Sequence, residues 1–183
     1  MAYIFGGLIF IFFKTNFSFW DIGVIYYITN FIGYVLILYG VNELGRSNQR
    51  ILKVRPYAIF MIAHSMIVFL LNVTGHSPLT MAMSTTLQSI IALTGAVFVA
   101  AGMFMTFIII FQLVEGLTGN MSEKLLENLI TIMMLVFILA GITSILGLMP
   151  LLVSNIMGAL LLLEVLFLIR YYYVFLGRNE SHT

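Results

Sequence analysis

Cysteine is absent from the 183 residues, which excludes disulfides, thiolate nucleophiles and thiolate metal sites, and leaves the redox compartment unread. Charge is scarce as well. Only 8% of residues are Asp, Glu, Lys or Arg, against about 25% in ordinary globular domains. A formal net charge of +1 gives no electrostatic draw toward nucleic acid, so no nucleic-acid partner is expected. Proline occurs three times, so long stretches run without a helix breaker. No H-E-x-x-H pattern and no glycine-rich phosphate loop occur. Nothing marks an enzyme, and no cofactor or metal is expected. What is present is apolar surface, with 62% hydrophobic residues and a mean hydropathy of +1.12. A soluble chain of this length lacks the interior to bury so much, whereas a bilayer can cover it. The expectation is one all-α domain over residues 1–183, a polytopic transmembrane helical bundle.

The chain is organised around residues 31–56, FIGYVLILYGVNELGRSNQRILKVRP. This stretch joins two apolar segments through a linker that carries Glu43 and four of the chain's eight basic residues, Arg46, Arg50, Lys53 and Arg55. Ahead of it, residues 1–13 have the length of a signal-peptide core, but no basic residue precedes them and no small-residue cleavage site follows. They read as a retained first helix. A span needs about 20 residues, so this helix is expected to run through Lys14 toward Phe19, with Lys14 snorkelling and Trp20 at the interface. Further apolar segments fall at about 24–43, 56–73, 84–113, 128–148 and 151–173, six spans in all. Pro56 suits the first turn of the third. The fourth is too long for one upright helix and reads as a single long or tilted one. Residues 115–127 read as a polar linker in which Ser122 caps the fifth helix. Pro150 opens the sixth after a tight turn.

Charge then orients the bundle. Six spans place Arg46, Arg50, Lys53, Arg55, Lys124, Arg170 and Arg178 on one side and Lys14 alone on the other. By the positive-inside rule the crowded side is the cytoplasm, and both termini lie there. Aromatic residues are expected to form two interfacial bands, with Trp20, Tyr26 and Tyr27 in one and Tyr171, Tyr172 and Tyr173 in the other.

The run 30–58, NFIGYVLILYGVNELGRSNQRILKVRPYA, resembles the hallmark of an uncharacterised family of small multi-pass integral membrane proteins of Firmicutes. Phe31, Ile32, Gly33 and Tyr34 match its DFIGY-like entry to the second span. Gly40 and Leu44 match the exit from that span, and Arg55 and Pro56 the entry to the third. Thr29 and Asn30 stand where the family has Pro-Asp, so a carboxylate is missing there. The resemblance covers about residues 5–60. It implies a helical protein of the bacterial cytoplasmic membrane, and it carries no activity over.

Few residues offer chemistry. Glu164 is the acidic residue deep inside an apolar span, where exposure to lipid would be costly. With His64, near the middle of the third span, and Asn30, it forms a candidate intramembrane polar site for a proton or cation. His64 and Glu164 would supply at best two metal ligands. Asn30, Gly33, Ile37 and Gly40 share one helical face, with glycines for close packing. Gln88, Ala92, Ala96 and Ala100 form a small-residue seam with a polar entrance. Arg46, Arg50, Lys53 and Arg55 set topology and meet lipid headgroups. Two functions follow: a non-catalytic assembly or regulatory membrane subunit, with a homo-oligomer or a membrane protein as partner; alternatively, a small transporter or channel component that uses the intramembrane carboxylate.

Overall fold

The computed structural model describes residues 1–13, 19–20, 23–118, 124–147 and 149–176. Among these residues no strand forms, and six α-helices follow one another: α1 (Ala2–Phe12), α2 (Val24–Leu44), α3 (Arg55–Val73), α4 (Thr86–Thr118), α5 (Lys124–Ile145) and α6 (Pro150–Phe175). A 3-10 helix, Gln49–Val54, leads into α3. Five of the helices, α2 to α6, are long and apolar enough to cross a membrane. The protein is thus a multi-pass helical membrane protein.

α1 is the exception. Its 11 residues rise about 16 Å at 1.5 Å per residue, roughly half of a 30 Å hydrocarbon core. The expected continuation to Phe19 does not occur, because Phe13 has turned to an extended conformation (φ −68°, ψ 120°). Lys14, whose snorkelling was expected, lies outside the described residues. Phe19 returns as a buried side chain, its ring 5.1 Å from that of Phe137 on α5.

α1 and α2 run antiparallel and touch at their backbones. A methyl group on Gly7 would stand 2.6 Å from the Gly33 carbonyl oxygen, and one on Gly40 would stand 2.7 Å from Ile4 Cγ1. Neither could be accommodated without the helices separating. The face expected from Asn30, Gly33, Ile37 and Gly40 is therefore a packed one, and all four residues are buried. Gly7 is its unforeseen counterpart.

Pro56 takes the first turn of α3 as expected. The fourth apolar segment is one uninterrupted helix of 33 residues, and it continues through Glu115 to Thr118. The linker expected from Glu115 onward therefore begins later, because nothing before Thr118 breaks the helix. Ser122, the expected cap, lies outside the described residues. α5 and α6 form a hairpin whose turn uses Gly147 at φ +63°, a left-handed conformation that costs glycine little. Pro150 then starts α6.

The residues of the expected aromatic bands do not all face outward. Tyr27 and Tyr171 are buried, at 4% and 0% exposure, while Tyr173 is exposed. Helical rotation decides this: Tyr27 shares the inner face of α2 with Asn30 and Tyr34, and Tyr171 shares that of α6 with Glu164 and Phe167.

Candidate functional site

The inner faces of α2 and α3 carry polar groups at the same depth. On α2 the helical repeat aligns Tyr27, Asn30 and Tyr34. On α3 it aligns Met61, His64, Ser65 and Val68. α4 lines the space between them with Val99, Gly102 and Thr106, and the cavity measures about 20 Å³. That is room for about one water molecule. Two of the expected site residues, Asn30 and His64, thus share a cavity with Ser65 and Thr106.

His64 is held from two directions. Its Nε2–H donates to the Phe98 carbonyl oxygen at 3.0 Å, which assigns the proton to that nitrogen because a carbonyl only accepts. Its ring lies 4.4 Å from the Phe98 ring and fills the notch left by Gly102, where any side chain would collide with it. Across the cavity, Thr106 Oγ1–H donates to the Gly102 carbonyl oxygen at 3.3 Å. The Tyr34 hydroxyl is then the donor in its 2.6 Å bond to Thr106 Oγ1. A directed chain from Tyr34 to Thr106 to the α4 backbone results.

Glu164 is 3% exposed. It lies in a neighbouring cavity of about 30 Å³, walled by Ile11 and Phe12 of α1, Phe107 of α4, Phe137 of α5 and Leu160 of α6. Tyr26, Met103 and Thr106 belong to both cavities. The three expected residues therefore do not face one common space. Asn30 and His64 do, and Glu164 stands one wall away, with the Thr106 hydroxyl in that wall. Tyr34 was read from the sequence only as part of a family-like motif, and Gly102 and Thr106 escaped notice; the seven-residue offset of Val99 from Thr106, with Gly102 between, was the signal available. Among the described residues no group of three or more His, Asp or Glu is placed to hold a metal ion.

The alanine seam is only partly a seam. Ala92 is buried, whereas Ala96 and Ala100 are half-covered. Successive four-residue steps each advance about 40° around a helix, so the line drifts off the packed face. That face follows Ala92, Gly95, Val99 and Gly102 instead, with Pro78 lying against Gly95. Gln88 is not the polar entrance of a seam but part of a helix cap. Its Oε1 accepts from the Thr85 backbone N–H at 3.1 Å and from Ser84 Oγ at 2.6 Å, while Thr85 Oγ1 accepts from the Gln88 N–H at 3.3 Å. This reciprocal arrangement is a capping box.

The four linker cations, Arg46, Arg50, Lys53 and Arg55, are all exposed. Arg50 and Lys53 line a cleft against the end of α4. Comparison with protein families, characterised proteins and solved structures finds no match to this chain.

Proposed function

We propose that the chain is a multi-pass protein of the bacterial cytoplasmic membrane, with both termini in the cytoplasm, that binds a proton or small cation at Glu164 as a component of a transporter or channel. The observation that carries this reading is the placement of Glu164 inside the bundle, one wall from the polar cavity of Asn30, His64 and Ser65. An intramembrane carboxylate turned toward other polar groups is costly and suits a transported or coupling ion. Thr106, which lines both spaces, ties the Glu164 cavity to the polar groups of the first through its bond with Tyr34. Glu164→Gln removes ionisation while keeping shape. In proteoliposomes the parent protein is expected to dissipate a pH or cation gradient, and the folded variant to lose at least about tenfold of that flux. Equal flux in the two, or none in the parent across proton, sodium and potassium gradients, sinks the reading.

The membrane and orientation follow from the charge asymmetry and from the resemblance to the Firmicutes family. His76 lies exposed in the turn after α3, while neighbouring Ser77 is buried. Single cysteines at His76 and at exposed Ser47 should react with an impermeant maleimide from opposite sides. Labelling of both from one side rejects the orientation.

One observation favours the assembly reading. Ala96 and Ala100 are half-covered beside exposed Leu93 and Val97, a surface on which a helix from a second copy or another membrane protein can pack closely.

A further inference from the structure

The cavity between α2, α3 and α4 is lined by polar groups that the fold itself leaves unanswered. Asn30 and Ser65 both line it and are buried, at 8% and 2% exposure. Neither side chain makes a hydrogen bond among the described residues. Asn30 brings amide N–H groups and a carbonyl oxygen, and Ser65 brings a hydroxyl. His64 adds an acceptor, because its Nε2–H is given to the Phe98 carbonyl and Nδ1 therefore keeps a lone pair. Tyr34 and Thr106 differ from these three, since their hydroxyls are engaged with each other and with the Gly102 carbonyl. Unanswered polar groups are costly inside a bundle that lipid surrounds.

Size and lining together select the occupant. A cavity of about 20 Å³ admits one species of the size of water. A small cation could use the lone pairs, but it would leave the Asn30 N–H groups unserved, and no carboxylate lines this cavity. A small anion would serve those donors and face the His64 lone pair, with no Lys or Arg in the lining to balance it. We propose that this cavity binds one water molecule, which accepts from the Asn30 amide and the Ser65 hydroxyl and donates to His64 Nδ1. Three hydrogen bonds of this kind match the usual complement of a buried water, about three. The water joins α2 to α3 from inside the bundle. Asn30 and His64 then serve a neutral ligand, which separates them from ion binding at Glu164.

The test is hydroxyl-radical footprinting of the full chain in detergent by pulsed X-rays, with oxidation read by mass spectrometry. Radiolysis turns a bound water into a radical where it sits, and a neighbouring thioether is oxidised. Methionines supply both probe and control: Met61 lines this cavity, whereas Met133 and Met157 line neither bundle cavity, and all three are at most 3% exposed. Met61 is expected to be oxidised severalfold faster than either control. Equal rates at the three mean a dry cavity and overturn the proposal without any variant. Asn30→Leu combined with Ser65→Ala removes both donors and leaves a more apolar lining, which excludes water. Met61 oxidation should then fall to the level of Met133, in protein whose Tm stays within about 4 °C of the parent. Undiminished oxidation in that folded variant overturns the assignment of the water to Asn30 and Ser65. The parent is also compared in sodium, potassium, ammonium and choline chlorides at equal ionic strength, where equal oxidation of Met61 is expected. A fall in one of the first three relative to choline overturns the water in favour of that cation. None of these readouts depends on orientation or flux, so failure here leaves the readings tested by labelling and by Glu164→Gln untouched.

Discussion

The α1–α2 contact and the junction where α4 meets α3 and the α5–α6 hairpin solve the same packing problem in opposite ways. In the first, glycines on both helices bring backbone against backbone, with Gly7 opposite Gly33 and Ile4 opposite Gly40. In the second, the glycine notch at Gly102 admits a His64 ring instead of a backbone, and Thr106, Tyr34 and Glu164 stand around small polar cavities. The difference shows what a glycine accomplishes between membrane helices, where apolar burial alone gives little drive to associate. Facing another glycine, it permits dispersion contact along the backbones. Facing a polar side chain, it makes room for a group that lipid would reject.

Three substitutions sharpen this contrast, in descending order of expected effect. Gly7→Leu should be the most damaging, because the obstacle is the Gly33 carbonyl, which cannot rotate away. Overpacking of this kind costs about 3 kcal/mol, corresponding to a fall in Tm of roughly 6–12 °C for a chain of this size. Its neighbour supplies the control: a methyl group on Gly6 would meet only Leu36 Cδ1, at 3.9 Å. Gly6→Ala should therefore be neutral or slightly stabilising through helix propensity. Equal Tm values for Gly6→Ala and Gly7→Ala in detergent would break the comparison.

Gly102→Ala comes next. Its added methyl group meets the His64 ring, a side chain that can swing at the loss of its bond to Phe98. The expected cost is about 1 kcal/mol, or 2–4 °C in Tm. A ring displaced from Phe98 should also be visible as a changed imidazole resonance by NMR. An unchanged resonance would show that the notch does not position His64.

Ala96→Leu is expected to alter the fold least, by under about 0.5 kcal/mol, since Ala96 is half-covered. If a partner helix docks there, the variant should instead shift the oligomer distribution in light scattering. Unchanged mass at unchanged Tm would leave this surface to lipid.

The inner face of α2 was legible because helical periodicity and small residues coincide at Gly33 and Gly40. The alanine line was legible only at Ala92. A strict four-residue step drifts around a helix, and the sequence holds no mark of which neighbour that helix meets. For the same reason the sequence did not show that Tyr27 and Tyr171 turn inward against protein. His64 and Asn30 were recognised as polar residues at similar depth. The cavity expected for them and Glu164 together holds only the two, because its shape depends on Gly102 and Thr106 from a helix that α3 reaches only through a turn.

Composition and local pattern, taken alone, determined that this chain is a helical membrane protein, where α2 to α6 lie and that Pro56 and Pro150 open helices. Those features depend on solvent and on residues a turn or two apart, and both are written in the linear order. Tertiary structure decided the rest. The halt of α1 at Phe12 beneath buried Phe19, the capping role of Gln88, the separation of Glu164 from His64 by a wall containing Thr106, and the cleft beneath Arg50 and Lys53 all arise where distant segments meet. Apolar residues of similar character serve equally well against lipid or against protein, so the choice between them is made only when the helices pack.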